Sequence, residues 1–257
     1  MHIIAIANNK GGVGKTTSAQ NIGAAIATFA SKRTLLIDLD PQASLSKSFG
    51  IYLPMSKAHA GTFLLGKCSL EDVIVTYKQT SLLDILPASM ELIEAKNELK
   101  KDPTFPFNLI KALEKYKATY DFVVIDCPPG VGTLTTLALT ACSKYYVPLQ
   151  AEYFSYEGLR DFISYTSKIN AINKSLQLGG VFATRFNPNS RKNFSRNLVQ
   201  AVKEQLGSRF LQTYIRDNVA LAEAQAKKRH IFDYDQKSNG AQDYYKLTKE
   251  ILYGEKL

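Results

Sequence analysis

The chain has 257 residues, 45% of them hydrophobic and 21% charged, which is the composition of a globular protein and excludes a disordered or fibrous one. Its net charge of +9 points to a polyanionic partner without choosing between nucleic acid and an acidic membrane. Three cysteines with no C-x-x-C pair exclude a disulfide framework and fit a reducing cytoplasm, and three scattered histidines offer no metal site.

In chain order, the apolar run Ile3–Ala7 reads as a strand that passes directly into a glycine loop, leaving no room for a signal peptide. A helix over Thr16–Ala30 follows, with Ala19, Ile22, Ile26 and Phe29 at helical spacing. Further strands are expected at Thr34–Leu39, Leu83–Pro87, Phe122–Asp126, Tyr145–Leu149, Gly180–Thr184 and Phe210–Ile215. Helical patterns lie at Phe107–Lys117, Leu134–Ala141, Tyr156–Ile172, Ser190–Leu206 and Ala241–Tyr253. Residues 51–80 carry no clear period, and Lys101–Pro106 reads as a loop. Strands that are nearly continuous apolar runs, alternating with helices, imply an α/β fold with a mostly parallel twisted sheet. With no repeat and no linker, residues 1–257 are expected to form one domain. No apolar run approaches the ~20 residues that span a bilayer.

Three segments carry chemistry. The first is NNKGGVGKTT, residues 8–17, which matches the end of the phosphate-binding loop G-x-x-x-x-G-K-[ST] but has Asn9 where the first glycine belongs, followed by a second lysine. Gly11, Gly12 and Gly14 let backbone approach phosphate oxygens, and their N–H groups with the helix N-terminus make an anion nest that extends through Val13 and Thr17. Lys15 is expected to reach the β and γ phosphates, and Thr16 to offer its hydroxyl to Mg²⁺. The second is LLIDLDPQ, residues 35–42, where Asp38 and Asp40 end an apolar strand and, two apart, face one side. Taken alone, they could be strand-end turn acids. The third is FVVIDCPPG, residues 122–130, a Walker-B pattern that sets Asp126 near the Mg²⁺ shell. Cys127 reads as a small packing residue.

The phrases KGGVGKTT, LIDLDPQ, VVIDCPPG and VPLQAEYFSYEGL stand in this order, followed by NVALAEA and FDYDQKSNGAQDYYKL. Together they resemble the ParA/Soj family of partition ATPases, of the deviant Walker-A P-loop class that also holds MinD. The resemblance implies that Lys10 is the signature lysine, reaching across an ATP-dependent homodimer to the partner's phosphates. It also implies that Asp40 serves the attacking water, that Asp38 supports Mg²⁺ and that adenine lies against the loop after the last strand. There the family usually reads I-P-R-N, and this chain reads Ile215-Arg216-Asp217-Asn218, which keeps Asn218 and lacks the proline. The implied cofactors are ATP and Mg²⁺, the implied partners non-specific double-stranded DNA and a ParB-like centromere-binding protein, and the implied place the cytoplasm, on the nucleoid.

The charge distribution agrees with a DNA partner. Between Arg185 and His230 stand ten Lys or Arg against three acids, a net +7. On the predicted helix 190–206, Lys192, Arg196 and Lys203 share a face opposite an apolar stripe of Phe194, Leu198, Ala201, Val202 and Leu206. With Arg191 and the cluster Lys227, Lys228 and Arg229 they form the expected DNA-contacting set, read through phosphates and not bases. The alternative is a MinD-like positioning ATPase on a membrane, but the C-terminal residues have no basic amphipathic face. A nitrogenase-iron-protein type of reductase lacks its cluster cysteines. A non-enzymatic DNA-binding module remains as a third reading.

Overall fold

The computed structural model of the chain describes residues 1–152, 155–188 and 193–254. Seven strands form one sheet: β1 (His2–Ile6), β2 (Thr34–Asp38), β3 (Val75–Thr76), β4 (Leu83–Leu86), β5 (Phe122–Asp126), β6 (Lys144–Gln150) and β7 (Gln177–Thr184), in the order β3-β4-β2-β5-β1-β6-β7. All neighbours pair in parallel except the two-residue β3, which runs antiparallel to β4.

The strand sequences explain why both faces are covered. Side chains alternate along a strand, so Ile3, Ala5, Leu35, Ile37, Val123 and Ile125 enter one core, and Ile4, Ile6, Leu36, Phe122 and Val124 enter the other. The second core is closed by α1 (Lys15–Phe29), α10 (Ile231–Tyr234) and α11 (Asn239–Gly254). The first is closed by α3 (Ala60–Leu64), α4 (Leu92–Leu99), α5 (Asn108–Leu113), α6 (Thr133–Ala141), α7 (Ser155–Ile169) and α8 (Asn193–Leu206). Two short helices remain: α2 (Ser44–Ser48) behind β2 and α9 (Val219–Ala226) before α10. Gly23 lets α1 lie flat on the sheet, since a Cβ there would come 2.5 Å from Leu36 Cδ2.

Six of the seven expected strands form. The seventh, Phe210–Ile215, touches β7 only through isolated bridges, Val181 with Phe210 and Thr184 with Ile215. Acids of α11 take its free donors instead: the N–H groups of Gln212 and Thr213 donate to the Glu250 carboxylate at 2.7 and 2.9 Å, and Arg216 N–H donates to Asp243 at 2.9 Å. The helix expected over Phe107–Lys117 is broken into α5 between two 3₁₀ turns. The unreadable stretch 51–80 holds α3, capped at His59 by a reciprocal pair of bonds with Gly61 and Thr62, and the short β3. No helix is long and apolar enough to cross a membrane among the described residues.

Candidate functional site

The loop after β1 is held by Asn8, which is buried; its Nδ2 donates to Pro148 O at 2.8 Å and its Oδ1 accepts from Lys10 N–H at 3.0 Å. Gly12 (φ 74°) and Gly14 (φ 90°) take left-handed backbone that side chains resist. A Cβ at Gly11 or Gly12 would meet nothing within 4 Å, so the space over the loop is open. Gly14 is the N-cap of α1 and brings no side chain, which leaves the first-turn N–H groups and the positive end of the helix dipole at the opening. The Thr184 hydroxyl secures the loop from β7, donating to Val13 O at 2.9 Å.

Lys15 is buried, and its ammonium donates to Lys10 O at 2.8 Å. Burial lowers its pKa, while Asp126 and Asp40 pull the other way. Lys10 behaves differently. Its ammonium lies 2.5 Å from Glu152 Oε2, in a pair exposed by 35% and 50%.

The strand-end carboxylates stand side by side, since Asp38 and Asp126 are register partners on β2 and β5. Asp38 accepts from Ser46 N–H at 2.8 Å, Ser46 Oγ–H at 2.7 Å and Asp40 N–H at 3.1 Å. Burial raises its pKa to about 6 against the opposing pull of Ser46. Asp126 is as deeply buried, and neither of its oxygens has a hydrogen-bond partner among the described residues. Burial first, then the charge of Asp38, drive its pKa well above the carboxylate range; the Thr16 hydroxyl, close by but outside hydrogen-bond geometry, and the Lys15 ammonium oppose the rise. Asp40 stands at the cleft, its Oδ1 accepting from Gln42 N–H at 2.9 Å.

The loop from Gly11 and the carboxylate of Asp40 border one cleft of ≈ 590 Å³, whereas Lys10, Asp38 and Asp126 are not among its lining residues. Residues Gly11–Thr17, Asp40 and Pro129 make one side, and the segment from Ile215 through Gln225 makes the other. Asn218 lines it and caps α9, its Oδ1 accepting from Ala220 N–H at 2.9 Å. Arg216 also borders the cleft, with its guanidinium turned to Asp243 in a bidentate pair at 2.7 and 2.9 Å. Gln225 and Thr184 are cleft residues that no sequence motif marks. A glutamine in NVALAEAQ and a threonine ending an apolar strand carry no signature of their own.

The basic set is dispersed. Arg191 and Lys192 lie outside the described residues. Arg196 and Lys203 border a groove of ≈ 360 Å³ beside β7, and Lys203 donates to Gln212 Oε1 at 3.0 Å. The buried stripe of α8 is Val199 and Val202; Phe194 (51% exposed) and Ala201 lie outward, a correction to the expected stripe. Lys227, Lys228 and Arg229 end α9 and meet other neighbours: Lys228 Nζ sits 5.3 Å from the Tyr52 ring centroid, and Arg229 Nε lies 3.5 Å from Asp233.

The chain is similar to known proteins in sequence and in fold. An AAA-domain family profile matches residues 1–178. The chain is 38% identical over 246 residues to the chromosome-partitioning ATPase Soj of Treponema pallidum, spanning 95% of this chain and 94% of that one. It is 34% identical over 259 residues to the chromosome partitioning protein ParA of Caulobacter vibrioides, spanning 100% and 96%. Among solved structures, cobyrinic acid a,c-diamide synthase of Mycobacterium smegmatis, with bound ATP analog and magnesium, matches at 31% identity with a TM-score of 0.85 over 100% of this chain and 96% of that one. The cell division ATPase MinD of Pyrococcus furiosus matches at 25% identity with a TM-score of 0.77, covering 98% of each. Matches that run nearly end to end in sequence, on a shared phosphate-loop fold, establish that the chain belongs to the ParA/Soj family of partition ATPases.

Proposed function

We propose that the chain, as a single ParA-like ATPase domain, works as a Mg²⁺-dependent ATP switch for DNA segregation. ATP is the substrate, with Gly11–Thr17 receiving its phosphates and Asn218 standing on the adenine side. The residues fit a divalent ion: Asp126 is a buried carboxylate with both oxygens unpartnered among the described residues, on the strand end behind the loop. Thr16 and Asp126 would hold Mg²⁺, directly or through water, with Asp38 orienting the adjoining turn. When bound, the ion supplies positive charge against the phosphates. Asp40 positions the attacking water.

The observation that carries the switch is the contrast between the two lysines of one loop. Lys15 lines the cleft and is buried in it; Lys10 is not among the cleft's lining residues and rests on Glu152. A cation that flanks its own nucleotide without facing it suits delivery to a second protomer, as an arginine finger is delivered in trans. On this reading ATP brings two protomers face to face, and the dimer binds double-stranded DNA through phosphate contacts from the basic residues of Arg185–His230. Slow hydrolysis, stimulated by a ParB-like partner, then releases it from the nucleoid in the cytoplasm. Sedimentation with ATP, ADP or no nucleotide, each with and without duplex DNA, tests it. A dimer that forms only with ATP and co-sediments with DNA is expected; a monomer in all conditions sinks the proposal.

A further inference from the structure

Between the cleft and the basic turn at the end of α9 runs a buried polar junction centred on Gln20. The side chain of Gln20 is fully buried on α1, one turn beyond the phosphate loop. Its Nε2 donates to Arg229 O at 3.2 Å and to Ser48 O at 3.4 Å, and its Oε1 accepts from Gln225 Nε2 at 3.2 Å. Gln225 in turn donates to the Thr17 hydroxyl at 3.1 Å. Asn21, the next residue, accepts from Ile231 N–H at 2.9 Å just past the turn. One amide therefore ties together the phosphate-loop helix, the end of α2 behind Asp40, helix α9 and the backbone of Lys227–Arg229.

Helix α9 is otherwise lightly held. Of its eight residues only Ala224 is buried, Ala220 and Leu221 pack partly against the second core, Tyr234 Oη donates to Glu223 at 3.1 Å, and Val219 is 74% exposed at the cleft. An element with so little apolar contact takes its position from polar pins and from whatever fills the space beside it. A ligand in the cleft touches α9 on one side and the start of α1 on the other, and the junction fixes the same two helices from behind. The turn also carries an unusual backbone: Lys228 sits at φ 62°, where glycine is the ordinary occupant, and the side chain so presented lies over Tyr52.

We propose that Lys227–Arg229 is the nucleotide-coupled part of the DNA-binding surface, and that Gln20 and Gln225 are the positioning residues that couple it to the cleft. The inference rests on the DNA-binding reading above and adds which cations report the nucleotide and through which side chains. Its energetic content is a linkage: duplex DNA should bind more tightly to the ATP-analogue state than to the ADP state by a ratio that the junction transmits.

The test measures that ratio on the full chain, using a non-hydrolysable ATP analogue or ADP and one duplex, with the nucleotide affinity of every variant measured in parallel. The wild-type ratio is expected to be about tenfold or more, within the usual range of coupling. Gln20→Leu, or Gln20→Met should the leucine variant not fold, is expected to bring the ratio to within about threefold of unity while a folded, nucleotide-binding protein remains, since Gln20 lies behind the cleft and does not line it. Lys227→Glu with Lys228→Glu should weaken DNA binding in the analogue state more than in the ADP state. A junction variant that keeps the wild-type ratio overturns the coupling and leaves the DNA reading intact, as does a charge-reversed turn that binds DNA like wild type. Wild type that binds no duplex in either state overturns both.

Discussion

Asp38 and Asp126 stand in register at the ends of neighbouring parallel strands, and only Asp38 is satisfied by protein donors. The difference assigns them different work. Asp38 organises the turn that carries Asp40 and α2, whereas Asp126 keeps its lone pairs open toward the loop. Asp126→Asn should leave the ligand-free protein as stable as wild type or more so, because a neutral amide replaces a carboxyl whose ionisation burial and Asp38 already disfavour. It should also abolish the rise in Tm that Mg²⁺ with ATP produces. Asp38→Asn should instead cost about 1–3 kcal/mol, since an amide nitrogen cannot accept from Ser46. Thermal unfolding with and without Mg²⁺ and ATP separates the two; equal destabilisation of both ligand-free variants would count against the division.

Lys15 and Lys10 should fail in different ways. Lys15→Ala is expected to abolish nucleotide binding. Lys10→Ala should retain ATP binding by the monomer and lose ATP-dependent dimerisation or turnover. Equilibrium binding of a fluorescent ATP analogue, set beside sedimentation, distinguishes them, and a Lys10→Ala protein that dimerises and hydrolyses normally would refute the trans role.

Asp40→Ala should slow hydrolysis by ~10²-fold or more, the scale of losing one positioning or general-base group. The ATP-bound dimer should accumulate in consequence. Steady-state phosphate release checks the rate; unchanged turnover, or loss of ATP binding altogether, would argue against a role on the attacking water.

The α8 cations can be tested apart from the basic turn. Arg196→Glu with Lys203→Glu should weaken binding to two unrelated duplexes alike and flatten the log–log salt slope by ~0.9 for each DNA phosphate that the protein no longer neutralises. ATP binding should be spared, because these residues border a groove beside β7 and not the cleft. Salt titrations of both proteins decide it, and identical slopes would remove α8 from the DNA surface.

His230 gives the stability a pH dependence of known sign. Burial lowers its pKa from 6.5 to about 4, against the opposing charge of Asp233, and the Tyr77 ring packs beside it at 5.0 Å. Folding holds the imidazole neutral, so the unfolded chain takes up the proton first. The stabilising contribution is intact above pH ~6.5 and is lost as pH falls toward 4, by up to about 3 kcal/mol. His230→Asn keeps a side-chain acceptor for the Asp233 N–H and removes the titration. The stability gap between wild type and variant should therefore shrink or reverse from pH 7 to pH 4. A gap that does not change with pH in chemical denaturation would show that folding leaves the proton affinity of His230 unaltered.

The phosphate loop, both acidic strand ends and most of the sheet are legible in the sequence because each rests on a short local rule. A continuous apolar run marks a strand buried on both faces, and glycines mark a backbone that a ligand approaches. The segment Phe210–Ile215 has the same apolar look and forms no regular strand: Leu211 and Ile215 donate to β7, but between them Gln212 and Thr213 donate to Glu250, an acid 37 to 38 residues away that no local pattern reveals. The face of α8 departs from its pattern for a related reason. Phe194 and Ala201 fit a helical stripe, but what β7 and Phe210 offer is room for Val199 and Val202. The Gln20 junction has no signature at all, because amides that meet across more than two hundred residues leave no trace in spacing.

The two rims of the sheet bear on how such a protein behaves when crowded. A protein that concentrates on a polyanion brings many copies close together, and an open strand edge would invite them to join sheet to sheet. On one side the outermost strand is only two residues long, Val75–Thr76. On the other, the chain beside β7 presents N–H groups already occupied by the carboxylates of α11, so an incoming strand would find its hydrogen-bonding partners taken. Glu250→Gln together with Asp243→Asn would weaken that seal. Self-association without nucleotide should then rise, as sedimentation at increasing protein concentration would read it.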